Sequence, residues 1–188
     1  MTDHPVRVAV MLSGRGSNMM ALVEQADGYE VVLVLSDKPD APGLAWAADR
    51  GIPTFALSPK GIGKEAMEAA FLERISSHDV RIVALAGYMR LLTPRFIDAV
   101  GGTIVNIHPS LLPLYKGLDT NARALAAGDA EAGCSVHLVT EDLDAGRVLG
   151  QSRVPILRGD TPDTLAARVL AAEHTLYPRV LAEISRTL

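Results

Sequence analysis

The chain has 188 residues, 48% of them hydrophobic, a formal net charge of −4 and a single cysteine. That length supports an ordinary core, the apolar runs fall short of the roughly 18 residues a membrane span needs, and Cys134 alone excludes an intramolecular disulfide. The acidic balance argues against a broad nucleic-acid surface but leaves room for a local basic pocket that takes a small anion.

The polar start, Met-Thr-Asp-His-Pro, leads straight toward a strand and has no signal-peptide character. Val6 to Leu12 is an apolar run, followed by Ser13-Gly14-Arg15-Gly16-Ser17-Asn18 and a segment with Met19, Met20, Leu22 and Val23 on one face. Strand, glycine-rich turn and helix together aim backbone N–H groups at an anion, with Ser17 or Asn18 placed to cap the helix. The spacing matches neither the dinucleotide fingerprint nor the P-loop, and a plain turn without a ligand is the alternative. Glu30 to Leu35 predicts a second strand, Leu44 to Arg50 a short helix, Thr54 to Leu57 a third strand and Lys64 to Ser76 a helix. Val80 to Ala86 predicts a fourth strand that ends at Gly87-Tyr88-Met89-Arg90, where Met89, Leu91 and Leu92 offer an apolar wall. Taken alone, Arg90 reads as a solvated side chain. Thr93-Pro94 predicts a helix start running through Val100.

Thr103 to Pro113 reads Thr-Ile-Val-Asn-Ile-His-Pro-Ser-Leu-Leu-Pro. Its β-branched start predicts a buried strand, and Pro109 stops it. Asn106 and His108 are two apart and leave the strand on one face, at the carboxyl end where open α/β sheets bind ligands. A satisfied Asn and a structural His at a strand-to-loop turn are the alternative. Ala122 to Ala127 predicts a helix, and Cys134 to Val139 and Val148 to Ile156 predict two strands that pair antiparallel across the loop Thr140 to Gly146. Asp144 in that loop matters only if the fold brings it beside His108. Thr161 to Thr187 is the longest helical pattern, with Pro178 expected to bend or break it; Glu173, mid-helix, reads alone as a surface residue.

These elements predict an α/β fold: a mostly parallel twisted sheet with helices on both faces and antiparallel pairing toward the C-terminal half. No repeat or linker divides it, so one domain over residues 1–188 is expected, with no metal-ligand cluster and a reducing cytoplasm as its setting.

Five stretches, in order, resemble the phosphoribosylglycinamide formyltransferase family: Ser13 to Asn18, Leu85 to Leu92, Asn106 to Pro113, Ser135 to Val139 with Asp144-Ala145-Gly146, and Ala172 to His174. The resemblance implies a Rossmann-like formyltransferase fold and transfer of a formyl group from 10-formyltetrahydrofolate to the amine of 5′-phosphoribosylglycinamide. It implies catalytic roles for Asn106, His108 and Asp144. Gly16, Ser17 and Asn18 then hold the substrate phosphate, and Glu173 engages the glycinamide portion. Met89, Arg90, Leu91 and Leu92 with Asn106 line the folate site. Thr140, Glu141, Asp142, Leu143 and Asp144 close over the pterin, and Lys64 stands near the folate tail. No metal is implied. The expected partners are small molecules, neither nucleic acid nor membrane, in a monomer or homodimer. The segment after Gly117 departs from the family's pattern: Asp119-Thr120-Asn121 carries no histidine, and Leu170 is apolar where a polar substrate contact is expected.

Two relatives on the same scaffold compete. Methionyl-tRNA formyltransferase shares the Asn-x-His-Pro core but is expected to carry a further C-terminal RNA-binding domain. Formyltetrahydrofolate hydrolase is expected to carry an extra N-terminal one. A non-catalytic, flavodoxin-like nucleotide-binding module is the rival from another class, and it leaves Asn106, His108 and Asp144 without a joint purpose.

Overall fold

The computed structural model describes residues 4–188. Along the chain the elements are β1 (Val6–Leu12), α1 (Ser17–Glu24), β2 (Tyr29–Ser36), α2 (Pro42–Ala48), β3 (Thr54–Ala56), α3 (Lys64–Ser77), β4 (Ile82–Leu85) and α4 (Pro94–Ala99). They continue as β5 (Thr103–His108), α5 (Thr120–Ala127), β6 (Glu131–Leu138), β7 (Val148–Pro155) and α6 (Pro162–Ser185). The seven strands form one sheet in the order β3-β2-β1-β4-β5-β6-β7. Strands β1 to β5 pair parallel, as helical crossovers require, and β6 is antiparallel to both β5 and β7.

The near-continuous apolar strands have a simple cause: the sheet is covered on both faces. Val8, Val10 and Leu12 of β1 pack on one side with α1 and α6, while Ala9 and Met11 face the opposite side with Phe71 of α3 and Phe96 of α4. Each large apolar side chain buried this way contributes about 1.5–3 kcal/mol of transfer free energy.

The strand order fixes where a ligand can sit. From β1 the chain winds outward to β2 and β3, then returns to place β4 on the other side of β1. The carboxyl ends of β1 and β4 flank this reversal, the crevice in which open α/β sheets take ligands.

Helix α6 departs from expectation: it runs unbroken from Pro162 to Ser185 with Pro178 inside it. Proline at this position cannot donate to the carbonyl four residues earlier, on His174. That carbonyl instead accepts a hydrogen bond from Gln25 Nε2 at the end of α1, at 3.0 Å, so the ladder bond lost inside the helix is replaced from outside it. At its start, Thr161 and Thr164 cap each other reciprocally and Pro162 occupies the first turn. Among the described residues, no helix is long and apolar enough to cross a membrane.

Candidate active site

The turn after β1 passes through Gly16, whose φ of 78° is a left-handed conformation that a side chain would oppose. Gly16 is itself the N-cap of α1, and no side chain caps that helix. The expected capping by Ser17 or Asn18 is not made, because Asn18 is engaged elsewhere: its Nδ2 donates to Glu173 Oε2 at 2.7 Å. The first turn of α1 therefore keeps its N–H groups free of any side-chain acceptor, the electrostatic condition for holding an anion.

Glu173 is buried, with 6% of its surface exposed, so the surface reading drawn from its mid-helix position is overturned. One turn later on α6, the Tyr177 hydroxyl lies 3.0 Å from Leu85 O and 3.2 Å from Val105 O, which pins the helix to β4 and β5 and carries Glu173 inward. Burial pushes the Glu173 carboxyl above the usual carboxylate range, offset only in part by the Asn18 amide. The Oδ1 atom of Asn18 is buried with no hydrogen-bond partner.

Beyond β4, Met89 and Leu91 are exposed, at 66% and 64%, and Leu92 packs onto the core face that holds Phe96. Exposed apolar side chains flanking a cleft are surface available to an apolar ligand. Arg90 is not merely solvated: its Nε donates to Asp37 Oδ2 at 2.7 Å. Lys64, at the start of α3, lies 4.0 Å from Glu68, whose carboxylate accepts from both the backbone N–H and the hydroxyl of Thr93, the residue after Leu92. Lys64 is thus tied to the end of the wall through Glu68.

At the end of β5 the two polar residues acquire partners. His108 Nε2 lies 2.9 Å from the Tyr115 carbonyl, an acceptor only, so this nitrogen carries the proton. Its Nδ1 lies 3.4 Å from Asp144 Oδ2. Asp144 Oδ2 also accepts from Gly117 N at 3.0 Å, and its Oδ1 stands 3.4 Å from His137 Nε2. Asn106 Nδ2 lies 3.2 Å from that same His137 nitrogen. Burial alone would raise the Asp144 carboxyl, but the His137 ring, the Gly117 N–H and the charges of His108 and His137 outweigh it and hold the group below its ordinary value.

The turn that delivers Asp144 is tight. Asp144 has a φ of 48°, and a Cβ on Gly146 would stand 1.9 Å from Leu138 O, so only glycine lets the chain fold back there. The rest of this loop is open: Thr140, Glu141, Asp142 and Leu143 are exposed, with the Thr140 hydroxyl donating to Asp142 O at 3.2 Å.

The fold thus gathers Asn106, His108 and Asp144 at one place and joins Asn18 to Glu173. Sequence reading passed over His137, Asp37 and Glu68. A signal for His137 existed, because it sits in an alternating strand and inside Ser135 to Val139, one of the stretches that carry the resemblance; that it faces Asn106 is set only by the β5–β6 register. Asp37 and Glu68 had none. Cys134 is buried in β6, and burial, with the Glu173 charge, pushes its thiol up to about 12, so the thiolate is disfavoured there. A cavity of about 580 Å³ lies at the opposite end of the strands, beside the amino ends of β1 and β4, lined by Arg7, Ile75, Asp79 and Arg81, and holds none of these groups.

Residues 6–181 match the family model described as formyl transferase. The chain is 40% identical to phosphoribosylglycinamide formyltransferase of Escherichia coli, over 94% of this chain and 86% of that protein. It is 42% identical to the trifunctional purine biosynthetic protein adenosine-3 of Chironomus tentans over 93% of its own residues, but spans only 13% of that protein's length. The solved structure of phosphoribosylglycinamide formyltransferase from Brucella melitensis superposes with a TM-score of 0.92 at 52% identity, covering 97% of this chain and 96% of the other. A family match over nearly the whole length, a close superposition and identities of this size have one explanation: the chain belongs to the formyl transferase family.

Proposed function

We propose that this enzyme transfers the formyl group of 10-formyltetrahydrofolate to the primary amine of 5′-phosphoribosylglycinamide, giving the N-formyl product and tetrahydrofolate, a step of purine biosynthesis. The observation that carries the reading is the meeting of Asn106, His108 and Asp144 at the carboxyl end of β5, the same end of the sheet as the uncapped start of α1 after β1 and the exposed apolar wall after β4. The names of the Escherichia coli and Brucella melitensis relatives support the same acceptor and the same transferred group.

The acceptor's phosphate lies on Gly16, Ser17 and Asn18 at the start of α1, and its amine end reaches toward Glu173 and the orphaned Asn18 Oδ1. The folate ring system takes the surface of Met89, Arg90, Leu91 and Leu92, with residues 140–144 closing over it and Lys64 near its acidic tail. The amine then attacks the formyl carbon directly. Negative charge grows on the formyl oxygen, where the Asn106 amide and a protonated His108 donate; donors of this kind contribute about 2.7–4 kcal/mol each.

His108 Nε2 is committed to the Tyr115 carbonyl, so Nδ1, facing Asp144, is the nitrogen that gives and takes the proton. Asp144 remains ionised at neutral pH and stabilises the imidazolium. It also offers an oxygen through which a proton passes from the attacking amine toward the leaving folate nitrogen, directly or by one water.

Turnover of 10-formyltetrahydrofolate by the pure protein, compared with phosphoribosylglycinamide, water and initiator tRNA as acceptors, tests the reading. Glycinamide-dependent turnover far above the other two is expected. Its absence from folded protein rejects the proposal.

A further inference from the structure

Three loops meet at the reversal crevice, and a single carboxylate joins them. Asp37 is the residue after β2, Ser13 the residue after β1, and Met89 and Arg90 follow β4. Because β1 lies between β2 and β4, a side chain at the end of β2 has to reach across the end of β1 to touch the loop beyond β4. Asp37 does so. Its Oδ1 accepts from Ser13 Oγ at 2.5 Å and its Oδ2 accepts from Arg90 Nε at 2.7 Å. Ser13 Oγ in turn accepts from the Met89 backbone N–H at 3.0 Å, and Ser13 N donates to Gly87 O at 3.1 Å.

The Asp37 side chain is only 2% exposed, whereas that of Arg90 is 43% exposed. A carboxylate is retained in such a place only when its partners satisfy it, and here both oxygens are used. Arg90 spends Nε on Asp37, and its terminal nitrogens make no hydrogen bond to the described residues. The guanidinium plane is therefore held at one edge and open at the other, the arrangement that suits a planar anionic or carbonyl group arriving from solvent.

We propose that Asp37 is a positioning residue that locks the acceptor loop and the donor wall to each other, acting on the wall through Arg90 and on both through Ser13. The inference rests on the substrate assignment above. Asp37 touches neither substrate. It removes the freedom of Arg90 and of the Ser13–Met89 link before the substrates arrive, so its loss appears in binding rather than in the chemical step.

The two arms separate experimentally. D37N keeps the size of the side chain and an oxygen for Ser13, but turns an amide NH2 group toward Arg90 Nε, donor against donor. We expect the KM for 10-formyltetrahydrofolate to rise about ten-fold, with kcat and the KM for phosphoribosylglycinamide within about two-fold of wild type. S13A, which cuts the shared hydroxyl, raises both KM values. In the D37N/R90Q double variant the donor KM is no higher than in R90Q alone, since Asp37 acts through Arg90. An unchanged donor KM in D37N overturns the proposal, as do additive effects in the double variant. So does a fall in kcat and a rise in both KM values together with a drop in Tm, the signature of a merely structural residue. Should D37N not fold, R90Q at its half-exposed position decides: an unchanged donor KM there also rejects the assignment. Wild-type turnover with phosphoribosylglycinamide is measured first. Without it the substrate reading and this inference fall together; with it, an unaltered D37N removes Asp37 alone.

Discussion

Asn106 on β5 and His137 on β6 stand opposite each other in an antiparallel register, with Asn106 Nδ2 3.2 Å from His137 Nε2. The other ring nitrogen of His137 lies 2.8 Å from the Leu138 carbonyl and must donate to it. The Nε2 of a neutral ring is then an acceptor, which fixes the Asn106 amide with its nitrogen inward. A protonated ring would instead donate to Asp144 Oδ1, 3.4 Å away, and release the amide. One nitrogen cannot serve both, so His137 stands between the Asn106 amide and the Asp144 carboxylate beside His108.

Removing His137 should therefore act through Asn106. His137→Ala is expected to lower kcat about ten-fold, less than His108→Ala, with the protein still folded. A double variant with Asn106→Ala should lose little more than Asn106→Ala alone, because the two side chains act as a unit. Steady-state kinetics on the four proteins measure this; fully additive losses would separate the two residues.

His108→Ala and Asp144→Asn are each expected to lower kcat by about 10²-fold or more, in the range of general acid–base and oxyanion contributions. Asp144→Asn keeps an acceptor for Gly117 N, so it should fold. A pH signature follows from the depressed Asp144 carboxyl. A group with a lowered folded-state pKa contributes stability that is present above its unfolded pKa, about 3.9, and is lost as pH falls through the lower folded value. Urea unfolding should show wild type losing stability between pH 5 and acid pH more steeply than Asp144→Asn. Parallel curves would contradict it.

Glu173 has the opposite sign. Its folded-state pKa is raised by burial, so its contribution to stability is fully present below the unfolded value, about 4.3, and is lost as pH rises through the folded one. Glu173→Gln keeps an oxygen for Asn18 and removes the buried charge. It should match wild type in Tm near pH 4 and exceed it at pH 8, while the KM for phosphoribosylglycinamide rises about ten-fold. A glutamine variant that is less stable at pH 8 would count against this account.

The replacement bond at Pro178 predicts a stability cycle. Gln25→Ala should cost about 0.5–1 kcal/mol, since it strips the His174 carbonyl of its donor. In a Pro178→Ala background, the restored backbone N–H reaches that carbonyl, and the same Gln25 change should cost close to nothing. Chemical denaturation of the four proteins gives the coupling. An equal cost in both backgrounds would show that Gln25 does not stand in for the missing helix bond.

The element pattern was legible in the sequence because it is local. Period-two and period-3.6 apolar spacing, the glycine-rich turn after β1 and the stop at Pro109 each depend on a few neighbouring residues, and so does the shared face of Asn106 and His108. The site depends on pairs far apart along the chain. Asn18 and Glu173 are 155 positions apart, Asn106 and His137 are 31 apart, and Arg90 and Asp37 are 53 apart. What joins them is strand order, the antiparallel register of β5 and β6, and the docking of α6 through Tyr177, none of which a local pattern encodes. Pro178 went wrong for the same reason: the sequence shows the lost N–H, and only the tertiary fold supplies Gln25 as its replacement. Residue types determined what chemistry was available, and long-range packing decided which groups meet, because closing such distances is a matter of the whole core rather than of any one segment.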